Sequence, residues 1–74
     1  MEIERQFGMR VRYLRKHAKM SIEDLALKSD LNKNYLGDIE NGKRNPTLKV
    51  IEKIAKGLGV SISELTKGLQ SFEG

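Results

Sequence analysis

The 74-residue sequence contains no cysteine, a single histidine and a single proline. Without thiols, disulfide frameworks, thiolate zinc sites and cysteine nucleophiles are all excluded. His17 has no second histidine and sits among Arg15, Lys16 and Lys19, so no metal-binding or catalytic role is expected of it. No glycine-rich phosphate loop and no clustered carboxylates are present either, and the chain is not expected to be an enzyme. No apolar run approaches the roughly 18 residues needed to span a bilayer. The N-terminal MEIERQF is charged and has no apolar segment, unlike a signal peptide. We therefore expect no cofactor, no metal and no membrane partner, and a cytoplasmic location.

The sequence shows no repeats, no low-complexity tract and no strand-length alternation of apolar and polar residues, which points to an all-α fold. Its 38% apolar content requires an economical core, for which compact helical packing is the usual solution at this size. One domain spanning residues 1–74 is expected. Ile3, Phe7, Val11, Leu14 and Ala18 form one stripe of an amphipathic first helix. Ser21, followed by Asp24, resembles a capped start for a second helix ending at Asp30. Asn32 is placed to cap a third over residues 33–41, which Gly42 ends. KRNP reads as a turn, because Pro46 disfavours helical geometry at Asn45. A fourth helix opens at Pro46 or Thr47 with Leu48, Ile51, Ile54, Ala55 and Leu58 inward, and Gly57 and Gly59 mark its end. Ser61 and Glu64 form a capping box for a fifth, carrying Ile62, Leu65 and Leu69. The tail 70–74 is expected to fray.

Charge favours a polyanionic partner. The formal net charge is +4, and Arg5, Arg10, Arg12, Arg15, Lys16 and Lys19 crowd the first twenty residues, although solvated helical surfaces are often charged. A sharper signal lies between Ile22 and Asn41. Leu25, small Ala26, then Leu31, Leu36 and Ile39 have the spacing of two helices crossing steeply through a short turn. Together with Arg15, Tyr35, Ile39, Glu40, Gly42, Pro46 and the closing KIAKGLGVSISEL, the run over residues 20–65 resembles the phage-repressor and Cro type (Xre-like) helix-turn-helix family. This implies a five-helix, lambda-repressor-like DNA-binding domain with the helix-turn-helix at about 22–41. The short chain further resembles the controller proteins of restriction–modification systems, a length that small phage and plasmid repressors share.

At 100° per residue, Lys33, Asn34, Gly37, Asp38 and Asn41 share one face of the third helix, opposite Leu36 and Ile39, with Tyr35 at the border. In the family that helix enters the major groove. A glycine in a helix interior costs roughly 0.5–1 kcal/mol relative to alanine, so Gly37 suggests close backbone approach to a duplex, against the alternative of a tolerated glycine on a solvated face. Base contacts are expected from Lys33, Asn34, Gly37 and Asp38. Asparagine suits adenine N6 and N7, and Lys33 suits guanine O6 and N7 or a phosphate. Asp38 either accepts from cytosine N4 or is held by a nearby cation such as Lys33. The resemblance assigns backbone contacts to Ser21, Ile22, Tyr35, Asn41, Lys43, Arg44 and Asn45. It also implies a structural salt bridge between Arg15 and Glu40. Two positions depart from the family pattern. Ile22 stands where glutamine is common, so its contact is either lost or limited to the backbone amide. Asp30 replaces a usual glycine in the turn and is expected to tolerate left-handed geometry.

The resemblance implies a homodimer on double-stranded DNA, with RNA polymerase a candidate second partner. Val60, Ile62, Leu65, Leu69 and Phe72 are more apolar residues than so short a fifth helix needs, and they are the expected dimer surface; the alternative is that they cap the core. A protein-interaction module, such as an antitoxin or adaptor on the same fold, is the competing functional reading.

Overall fold

The computed structural model describes residues 2–69 and is all-helical among them: α1 (Ile3–His17), α2 (Ile22–Lys28), α3 (Lys33–Glu40), α4 (Leu48–Leu58) and α5 (Ile62–Leu65). Helix starts leave backbone N–H groups without partners, and side chains supply them at four of the five. Ser21, Asn32, Thr47 and Ser61 cap α2 to α5. At α2 the cap is reciprocal: Ser21 Oγ accepts from the Asp24 N–H at 3.0 Å while the Ser21 N–H donates to Asp24 Oδ2 at 3.0 Å. The hydrogen bond from the Ser21 backbone, then that with its side chain, holds the Asp24 carboxyl below its ordinary value.

The capping box expected at α5 is half formed. Ser61 Oγ accepts from the Glu64 N–H at 3.0 Å, but the Glu64 carboxylate pairs with Arg10 instead. Arg10 Nη2 also donates to the Glu64 carbonyl at 2.9 Å. A charge-assisted bond outweighs a neutral backbone donor, so α1 takes the carboxylate and ties α5 down.

Phe7, Val11, Leu25, Ala26, Leu36, Ile39, Ile54, Ala55 and Leu65 form one buried cluster to which all five helices contribute. The expected stripes stop short at their ends. Ile3 is partly exposed, Leu48 is 79% exposed, and Ala18 lies in solvent as the C-cap of α1. Each occupies a helix terminus, where the chain has already turned away from the core.

Small residues set how closely the helices cross. α4 ends at Leu58, between Gly57 and its left-handed C-cap Gly59, as expected; a Cβ on Gly57 would overlap Ser29 Oγ and approach Leu25 Cδ1 to 3.1 Å. Gly8 does the same for α1 and α3. A Cβ on it would strike the Ile39 carbonyl oxygen and come within 2.6 Å of that of Glu40. The turn between α2 and α3 is made by Asp30 at φ 54°, and the Leu31 N–H closes it by donating to the Ala26 carbonyl at 2.9 Å. Aspartate thus adopts the left-handed geometry for which glycine is usual. No helix among the described residues is long and apolar enough to cross a membrane.

Candidate nucleic-acid interface

An eight-residue helix is marginal by itself, so the position of α3 depends on what holds it. Leu36 and Ile39 are fully buried. At its start Asn32 Oδ1 accepts from the N–H groups of Asn34 and Tyr35 at 2.8 and 3.1 Å. At its end Glu40, 7% exposed, accepts from Arg15 twice, Nε to Oε2 at 2.7 Å and Nη2 to Oε1 at 3.0 Å. The hydrogen bond that Arg15 donates to Glu40 raises the Arg15 pKa; desolvation opposes it, and the charges of Glu40 and Glu23 add to it. The third arm of the guanidinium, Nη1, donates to the Met20 carbonyl at 2.9 Å. One partly buried side chain therefore fixes both the end of α3 and the turn leading into α2.

With Leu36 and Ile39 inward, the opposite face of α3 is turned out. Lys33, Asn34, Gly37, Asp38 and Asn41 line one shallow concavity together with Ile22 and Glu23 of α2. Beyond the adjoining helix backbone, no heavy atom of the described residues lies within 4 Å of where a Gly37 Cβ would stand, so its hydrogen faces open space. Ser21 is exposed beside this surface, whereas the Ile22 side chain packs against the core.

The loop after α3 lies apart. Lys43, Arg44 and Asn45 line a second concavity with Gly42, Glu2 and Glu4. Arg44 joins the two surfaces: its Nε donates to Asp38 Oδ2 at 3.4 Å and its guanidinium carbon lies 5.5 Å from the centre of the Tyr35 ring. Asp38 is thus held by Arg44 and not by Lys33. Lys33 turns the other way, its Nζ 3.6 Å from Glu23 Oε2. Gly42, at φ 75°, fits beneath α1; a Cβ would come within 2.9 Å of the Arg5 Cα.

Glu23 escaped the sequence reading, because residues ten apart on different helices meet only once the crossing angle is known. The apolar C-terminal set is dispersed. Leu65 is fully buried and belongs to the core, since its helix is anchored against α1 and α4, so it cannot face outward. Val60 and Leu69 are half-buried, and Ile62 is 45% exposed. Leu69 lines an apolar recess with Ile3, Phe7, Pro46 and Ile51. Phe72 lies outside the described residues.

Residues 11–65 match the helix-turn-helix family model. The chain is 41% identical over 70 residues to control protein C.MunI of a Mycoplasma species, covering 93% of this chain and 95% of that protein. It is 48% identical over 60 residues to control protein C.BamHI of Bacillus amyloliquefaciens, covering 80% and 74% respectively. Among solved structures, the restriction-modification controller protein C.AhdI from Aeromonas hydrophila superposes with a TM-score of 0.82 at 40% identity, over 84% of this chain and 94% of that one.

Proposed function

We propose, for a chain that belongs to the helix-turn-helix family, a sequence-specific DNA-binding transcriptional regulator that acts as a homodimer on a pseudo-palindromic operator and controls a restriction–modification operon. The observation that carries this reading is the outward face of α3. It is polar, uncovered at Gly37, and braced from behind by Leu36, Ile39 and the Arg15–Glu40 pair. A helix so presented fits the major groove, where Asn34 pairs with adenine and Lys33 with guanine. Asp38 accepts from cytosine N4 when Arg44 releases it. Lys43, Arg44, Asn45, Asn41 and Tyr35 grip phosphates, as does the backbone N–H of Ile22, the Ser21 N–H being taken by the Asp24 carboxylate. Such contacts fix register without reading sequence.

One copy reads too few base pairs for useful specificity in a genome. A two-fold dimer places two α3 helices in half-sites about 10–10.5 bp apart or a multiple of that. Val60, Ile62 and Leu69, with Phe72, are the proposed dimer surface, supported from inside by Leu65. No catalytic step is involved, and the protein works in the cytoplasm.

Selection from a random-sequence duplex pool, followed by affinity against salt, tests the reading. An enriched palindrome is the expected result. Binding that fades with salt and enriches nothing would leave only electrostatic attraction, and the interaction-module reading would replace this one.

A further inference from the structure

The outer surface of α3 carries two ion pairs that folding hardly needs. Lys33 is paired with Glu23 at 3.6 Å and Arg44 with Asp38 at 3.4 Å, and all four side chains are at least 38% exposed. Exposed pairs of this kind contribute little to stability. Their effect falls on whatever meets the surface. Glu23 lies in the first turn of α2 and borders the same concavity as Lys33, Asn34, Gly37 and Asp38.

Resting on the DNA-binding reading above, we propose that Glu23 is a specificity-determining residue, holding Lys33 in an internal ion pair so that non-specific duplex gains nothing from that cation. The ion pair acts differently in two complexes. When a duplex lies out of register, attraction comes from cations meeting phosphates. Lys33 then either stays with Glu23 and adds no net charge, or leaves it and exposes a carboxylate to the negative potential of the duplex. One cation is lost to the non-specific complex in both cases.

In register the outcome differs. An ammonium has three donors. Lys33 keeps one on Glu23 while others reach guanine O6 and N7. The cost of the carboxylate therefore falls mainly on wrong sequences, and specificity is gained by penalising them.

The test is Glu23→Gln in the full chain. Fluorescence anisotropy across a range of salt compares the operator recovered by selection with a scrambled duplex of equal length and composition. Affinity for the scrambled duplex is expected to rise about three- to tenfold, with its logarithmic salt slope steeper by about one. Affinity for the operator is expected to rise less than about twofold, so that the ratio falls. Glu52→Gln makes the same charge change at an exposed position on α4, and it is expected to move both duplexes equally and slightly. Repeating the pool selection with Glu23→Gln is expected to blur preference at the base pair that Lys33 reads and to leave that of Asn34 intact. Equal gains on both duplexes, or behaviour matching Glu52→Gln, would overturn the proposal alone. Failure of the unaltered chain to separate operator from scrambled duplex would reject the DNA-reading function as well, and needs no variant to be seen.

Discussion

Arg15 and Glu40 lie twenty-five residues apart, yet two nitrogens of one meet two oxygens of the other at 2.7 and 3.0 Å, with little of either side chain open to solvent. Removing one partner strands a buried charge, which costs about 3–5 kcal/mol. Glu40→Ala is expected to lower the urea unfolding midpoint accordingly and to weaken operator binding through loss of the α3 position. Replacing both residues with apolar ones of similar volume is expected to cost less than the sum of the single changes. Strictly additive losses in that cycle would show that the two side chains do not act as a pair.

Gly37 and Gly8 are expected to respond oppositely to alanine. Nothing surrounds a Cβ at Gly37, so Gly37→Ala is expected to raise stability by about 0.5–1 kcal/mol while weakening operator binding. Gly8→Ala drives a methyl into the carbonyls of Ile39 and Glu40, and overpacking of this kind costs about 1–3 kcal/mol. Thermal melts and anisotropy on the same samples check both. Undiminished operator affinity for Gly37→Ala would remove the case for close backbone approach.

Asn34→Ala is expected to alter which sequences are preferred. Arg44→Ala is expected to weaken all duplexes about equally and to lower the logarithmic salt slope by about one. Competition against single-base operator variants separates the two. A changed site preference for Arg44→Ala would mean that its placement beside Asp38 and Tyr35 takes it to base edges.

Ser29 is 2% exposed and its hydroxyl, where it faces Gly57, has no hydrogen-bond partner among the described residues. A buried hydroxyl without a partner carries a desolvation cost of about 1–3 kcal/mol. Ser29→Ala is therefore expected to hold or raise the melting temperature, and Gly57→Ala to lower it. A clear loss of stability in Ser29→Ala would point to a bond that the hydroxyl makes in solution.

The depressed Asp24 carboxyl links α2 to pH. Its folded pKa lies below the ordinary 3.8, so the unfolded chain binds the proton first as pH falls. The contribution is fully present above that ordinary value and disappears as pH drops through the lower folded one. Unfolding midpoints measured from pH 5 downward are expected to fall less steeply for Asp24→Asn than for the unaltered chain. Parallel curves would show that the capping carboxylate is energetically silent.

Much of this arrangement is legible in the sequence because it repeats at helical spacing. The Phe7 and Val11 stripe, the Ser21, Asn32 and Ser61 caps and the inward Leu36 and Ile39 follow from local chemistry alone. What the sequence conceals depends on how closely separate helices approach. Gly57 reads only as a helix-end glycine, and its second role as a close-packing site emerges when α2 is laid against it. Glu64 reads as a capping partner until Arg10 of α1 competes for it. Leu65 reads as surplus surface because a four-residue helix is too short for periodicity to separate inside from outside. On the outward surface of α3 the residue types are readable in advance, whereas the pairing of Lys33 with Glu23 and of Asp38 with Arg44 belongs to the folded geometry.

The burial of Leu65 in the same cluster as Leu36 and Ile39 also bears on the order in which the protein is made. A nascent chain that has emerged only through α3 already carries Lys33, Asn34 and Asp38, but lacks the α4 and α5 residues that complete the core behind them. The ability to recognise an operator thus waits for α5 to emerge and close the cluster.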